Sequence, residues 1–165
     1  MTTGAPASHV EEAQKLTADA LVDLFEITPV GTSSPTVVRF RDGPQVTWQA
    51  NVYESMAVRL MGYQVSADGG KSRPTLTIAN PAGLFNSFVF AGYLDGAQVV
   101  RRRVLRQHLE TNVNLSDPNF WYVARIKEVV AGQGITMELR SLSDGPDLVI
   151  PARKFMSPEF PFVTL

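Results

Sequence analysis

The chain has 165 residues, 44% of them hydrophobic, and fifteen basic against sixteen acidic side chains give a formal charge of −1. That is enough chain to bury one core and too little for a second full domain. Near-neutrality removes any global pull toward nucleic acid or an anionic membrane, and the absence of cysteine excludes disulfides, thiolate zinc sites, iron–sulfur ligation and thiol nucleophiles together.

The first residues show neither a basic nor an apolar leader, and no stretch approaches the roughly 18 apolar residues that span a bilayer. A soluble protein made in the cytoplasm is expected. Ser8-His-Val-Glu11 has the capping-box form and predicts a helix start, with Val10, Ala13, Thr17, Ala20 and Leu21 on its docking face. Residues 21–28 then change to strand period, with Leu21, Phe25 and Ile27 on one side, Asp23 interrupting that side, and Val22 and Leu24 opposite. Residues 29–35 form a loop rich in Gly, Ser and Thr.

Residues 36–41 alternate, placing Val38 and Phe40 together, and Asp42-Gly43 is a two-residue hairpin signal. The partner strand is expected over residues 45–53, with Val46, Trp48, Ala50 and Val52 as its apolar face. Residues 56–66 and 74–79 flank a polar turn, Ala67-Asp-Gly-Gly-Lys-Ser72, and predict a second hairpin. In the irregular segment 81–96, Phe85, Phe88 and Phe90 are expected to tuck a connection or short helix onto the core.

Residues 99–109 are ambiguous: Val100, Val104, Leu105 and Leu109 stripe a helix, whereas the β-branched start favours a strand. Residues 120–130 predict a strand with Phe120, Tyr122, Ala124 and Ile126 on one face. Its partner spans residues 135–140, with Ile135, Met137 and Leu139 inward. Asp144-Gly-Pro-Asp147 marks a turn before a last short strand at 148–150. About eight short strands at intervals of roughly ten residues describe a mainly β chain: a small antiparallel β-barrel with an N-terminal helix. The expected division is an arm and helix at 1–20, a barrel at 21–150 and a C-terminal extension at 151–165.

No constellation for chemistry emerges, so neither enzyme activity nor a cofactor or metal is expected. Asp68-Gly-Gly-Lys-Ser72 has the end of a phosphate-binding loop, but Val65 stands where the motif needs glycine and Pro74 blocks the following helix. His9 and His108 lie on different elements without carboxylates at metal-ligand spacing; satisfied or solvated rings are expected. There is no Gly-x-Ser-x-Gly elbow, and the carboxylates sit mostly at turns and helix ends. Trp48 and Trp121 are expected in the core.

The dense basic patch is Val99-Val-Arg-Arg-Arg-Val-Leu-Arg-Gln-His-Leu109. Arginines on both faces of a strand cannot all be solvated if one face packs. Some of Arg101, Arg102, Arg103 and Arg106 must therefore pair with carboxylates, within the fold or on a neighbouring subunit. The rival use is a nucleic-acid-binding barrel that grips phosphates with these arginines, against which stand the near-neutral charge and the lack of interleaved aromatics.

Three pieces carry a family resemblance: Val46-Thr-Trp-Gln-Ala-Asn-Val-Tyr53, Arg73-Pro-Thr-Leu-Thr-Ile-Ala-Asn80 and Val99-Val-Arg-Arg-Arg-Val104. Their order and spacing resemble the N-terminal region of the minor tail protein L family of lambda-type tailed bacteriophages, and Val149-Ile-Pro-Ala-Arg153 is similar to a later step of that family. The resemblance implies a virion component of the tail tip or baseplate hub, with a barrel like those of tail tubes. It implies a ring of its own copies, expected to be a trimer, joined to the distal tail ring and the central fibre or host-recognition protein. Arg101, Arg102, Arg103 and Arg106 become candidate subunit-interface residues. Fuller members carry a cysteine-rich C-terminal segment associated with an iron–sulfur cluster; with no cysteine here, that cluster is not carried over.

Overall fold

The computed structural model describes residues 6–13, 20–31, 36–63, 73–80, 83–130 and 132–144. In chain order the first half holds α1 (Ala7–Ala13), β1 (Leu21–Thr28), β2 (Val38–Arg41), β3 (Val46–Trp48), β4 (Asn51–Ser55), β5 (Val58–Met61) and β6 (Thr75–Ala79). The second half holds α2 (Asn86–Phe90), β7 (Gln98–Leu105), α3 (Arg106–Glu110), β8 (Asp117–Val130), β9 (Gly134–Arg140) and a 3-10 turn at Leu142–Asp144. The expected turn at 67–72, the strand at 148–150 and the extension at 151–165 lie outside the described residues.

Nine strands join one sheet in the order β3-β4-β2-β1-β7-β8-β9-β6-β5. The expectation of a mainly β chain with an N-terminal helix is met, but the sheet is mixed, because β2 and β4 run parallel while every other pair is antiparallel. Its ladders do not close. They leave β3 at one edge and β5 at the other, yet only Met56 and Ala57 separate β4 from β5. Met56 N–H donates to the Arg41 carbonyl at 3.0 Å, and the Ala57 carbonyl accepts from Ala79 N–H of β6 at 2.8 Å. The chain thus crosses from one side of the sheet to its far edge in two residues, which requires the sheet to curl back on itself.

The concave side of that curl holds the main core. Phe25, Ile27, Phe40, Leu76, Ile78, Phe85, Val99, Trp121, Val123, Met137 and Leu139 are all buried there. A second cluster, of Leu24, Trp48, Tyr53, Val104 and Leu109, forms on the opposite face. β1 and β7 therefore bury side chains on both faces, and a charged side chain buried on either must find a partner or remain desolvated.

The predicted hairpin between residues 36–41 and 45–53 does not form. Pro44 follows the Asp42-Gly43 bend and cannot donate to a ladder, and β3 instead pairs with β4 around a two-residue turn at Gln49-Ala50. Both turn residues have positive φ, 50° and 60°, the pattern of a type I′ hairpin. Neither is a preferred residue there, so the strain is offset by a distant clamp: Gln49 N–H donates to Asn112 Oδ1 at 2.8 Å and Gln49 Nε2 to the Asn112 carbonyl at 2.6 Å. The turn breaks the expected alternation, leaving Val52 exposed and bringing Tyr53 opposite Val46. Ala50→Gly removes the left-handed strain at a cost in unfolded-chain entropy, and the expected net gain is about 0.5 kcal/mol, seen as a higher urea midpoint at unchanged slope.

β8 corrects a second expectation. Trp121 and Val123 are buried, whereas Phe120 is half exposed, so the inward set at this end is the opposite of the one predicted. Register shifts between Val123 and Arg125 and between Ile126 and Glu128 insert extra residues, which returns Ile126 to the core side. α2 does tuck onto the core through Phe85 and Phe88, but Phe90 is 89% exposed, contrary to expectation. On α1, Val10 also turns outward, and Leu21 is exposed at the start of β1.

Candidate functional site

The arginine run lies on β7, between β1 and β8. Alternation sends Val99, Arg101 and Arg103 to one face and Val100, Arg102 and Val104 to the other. The two predicted conformations both occur, in succession: the strand ends at Leu105, and Arg106 opens the short helix α3.

Arg102 faces the second cluster. Its Nε lies 3.4 Å from Glu26 Oε2, while Glu26 Oε1 accepts from the Tyr53 hydroxyl at 2.6 Å and lies 3.7 Å from Arg39 Nε. One carboxylate of β1 thus joins β1, β2, β4 and β7. Burial first, then the bond to Glu26, holds the Tyr53 phenol well above the ordinary tyrosine range. On the other face Arg103 stands directly opposite Asp23 in the ladder, with Nε 3.6 Å from Oδ1. Asp23, which interrupts the apolar face of β1, is the signal in the sequence for this pair.

Arg101 is 4% exposed. Its guanidinium carbon lies 4.8 Å from the Tyr63 ring centre and 5.5 Å from that of Trp121. Burial lowers its affinity for a proton, with Asp23 opposing. Arg106 is exposed. The structure therefore separates the four predicted residues: Arg102 and Arg103 tie strands together, Arg101 is enclosed between aromatics, and Arg106 faces solvent.

A second ionic cluster was not anticipated. Glu138 of β9 receives Arg125 Nε at 3.0 Å, Lys127 Nζ at 3.4 Å and Arg73 Nη1 at 3.4 Å, and Arg73 Nε also meets Asp144 at 2.8 Å. The bond from Arg125 foremost, then those from Lys127 and Arg73, holds the Glu138 carboxyl below the usual range. Its components are scattered over residues 73–144, so only the β6-β9-β8 register brings them together.

The histidines also depart from expectation. His9 and His108 stack with ring centres 6.2 Å apart, and His9 Nε2 and His108 Nδ1 are buried without a hydrogen-bond partner. Burial holds the His9 imidazole below the ordinary histidine range, against Asp117 and with a smaller contribution from His108. Among the described residues no group of three or more His, Asp or Glu side chains is placed to hold a metal.

Fold and site together define a mainly β protein in which, among the described residues, the ion pairs of Glu26, Asp23 and Glu138 join neighbouring strands. The chain belongs to the phage minor tail protein L family, whose model matches residues 36–163. It is 33% identical over 78 residues to the tail tip protein L of Escherichia phage lambda, a match covering 47% of this chain and 33% of that protein. Its fold is similar to a chain in the virion of a native gene transfer agent particle, with a TM-score of 0.63 and 15% identity over 87% of this chain and 47% of that one. The chain thus spans about a third of the lambda relative's length and about half of the structural neighbour's. Family membership makes it a structural protein of the phage tail.

Proposed function

We propose that the chain is a component of the tail tip or baseplate hub, joining the tail tube or distal tail ring to the central fibre or host-recognition protein. The observation that carries this reading is the family match across residues 36–163, to which the lambda tail tip relative adds. The strand order adds to it: the two-residue step at Met56-Ala57 carries the chain from β4 to the far-edge strand β5, the kind of return that a barrel would use. In this reading the copies form a threefold ring, assembled in the host cytoplasm, with an arm at 1–20, a barrel at 21–150 and an extension at 151–165.

Of the predicted interface residues, Arg106 is the one wholly available to a neighbour, and Arg102 and Arg103 offer their solvent sides. The nucleic-acid alternative loses support for the same reason, since the buried Arg101 and the paired Arg102 and Arg103 are poorly placed for phosphates. Cryo-electron microscopy of the intact particle tests the proposal. Density for this fold in a ring at the tail tip is the expected result, and its location elsewhere in the virion, or its absence from the particle, overturns the hub assignment.

A further inference from the structure

Arg101 is a buried charge for which strand pairing gives no use. The rings of Tyr63 and Trp121 meet edge to face at 5.4 Å, and both lie within cation–π range of the guanidinium. What remains is its in-plane edge. Nε and Nη2 are buried and have no hydrogen-bond partner, and among the described residues Arg101 forms no ion pair. These two atoms present parallel N–H donors, the side-on fork that matches the two oxygens of one carboxylate.

The nearby acids leave that fork open. Asp23 is engaged by Arg103, and Asp117, across the ladder from Arg103, makes no bond to Arg101. Directly across from Arg101 is Asn119, whose Oδ1 accepts from the Tyr63 hydroxyl at 3.0 Å in an exposed hydrogen bond. Tyr63, 37% exposed, is thus the outer member of the enclosure and is held to β8 by one solvent-accessible bond.

We propose that Arg101 is a carboxylate-binding site: a carboxylate entering past Tyr63 is held side-on by Nε and Nη2, with the Trp121 ring beside it. The carboxylate has two sources. An Asp or Glu side chain of a neighbouring tail polypeptide is one, and that source rests on the assembly reading above. A small free carboxylate is the other, and it does not.

The full chain, Arg101→Met, Arg101→Lys and Arg106→Met are heated in formate or chloride at constant ionic strength, with Trp fluorescence followed alongside. The wild-type and Arg106→Met midpoints are expected to rise with formate, by about 4 °C at ten times its Kd, while Arg101→Met is insensitive. Arg101→Lys keeps the charge without the fork and is expected to bind formate at least tenfold more weakly. Sedimentation velocity at rising protein concentration separates the sources: association abolished by Arg101→Met and competed by formate assigns the site to a neighbour's side chain, and a formate response without such association assigns it to a free anion. If wild type and Arg101→Met respond to formate in parallel and associate equally, the proposal fails, with water filling the fork. That failure leaves the hub reading untouched, because imaging of the particle tests it separately.

Discussion

Phe40→Ala is expected to lower the free energy of unfolding by about 3–5 kcal/mol. Phe40 is fully buried, stacks on Phe25 with ring centres 5.8 Å apart and meets Phe85 edge-on at 6.2 Å. Its strand, β2, is four residues long, yet it is the bridge between β1 and the β3-β4 hairpin. The cavity therefore opens where the sheet has least backbone to spare. Domains of this size are stable by only about 5–15 kcal/mol, so the variant should be partly unfolded at modest denaturant concentration. Urea titration checks this, with Phe90→Ala as a control expected to change stability by less than about 0.5 kcal/mol. A loss below about 1 kcal/mol at Phe40 would mean that the aromatic stack is not part of a well-packed core.

Glu26→Ala is expected to cost about 3 kcal/mol, because it leaves several groups without their partner at once. The Glu26 side chain is 13% exposed, and its removal orphans the Tyr53 hydroxyl while stripping the counter-charge from Arg39 and Arg102. Glu26→Gln retains an acceptor for Tyr53 and should lose less. The same group predicts a pH dependence of definite sign. The folded phenol of Tyr53 holds its proton more tightly than the unfolded one, so its contribution is fully present below about pH 10 and is lost as pH rises further. Wild-type stability measured from pH 9 to 11 should fall with this term, and Tyr53→Phe should flatten the fall. An equal decline in both proteins would remove Tyr53 as its cause.

Several elements were legible because their cause is local. β1 has the predicted bounds, β5 pairs with β6 and β8 with β9 as expected, and Ile135, Met137 and Leu139 point inward. In each case alternation of apolar side chains specifies the buried face directly. The demand that some of the β7 arginines find carboxylates was legible too, since it follows from desolvation alone. Which carboxylates they find, Asp23 and Glu26, depended on the β1-β7 register.

The errors share a different cause. The Asp42-Gly43 signal was outweighed by Pro44 and by Asn112, which lies more than sixty residues beyond the turn it holds. The inward face of β8 was inverted because bulges reset its parity, and a bulge is stabilised by its partner strand rather than by its own residues. Phe90 was expected to pack because apolar residues usually do, but a five-residue helix cannot turn every side inward.

From the sequence alone come the β class, the absence of cysteine chemistry, the family signature and the need for the buried arginines to be accommodated. These follow from composition, short-range periodicity and the cost of desolvating charge. Only the tertiary structure decided that β2 and β4 run parallel, that the chain passes from β4 to the far-edge strand β5 at Met56-Ala57, and that, among the described residues, Arg101 alone of the β7 arginines is buried with no carboxylate bonded to it. Those outcomes depend on which strands become neighbours, and that choice is made by long-range packing.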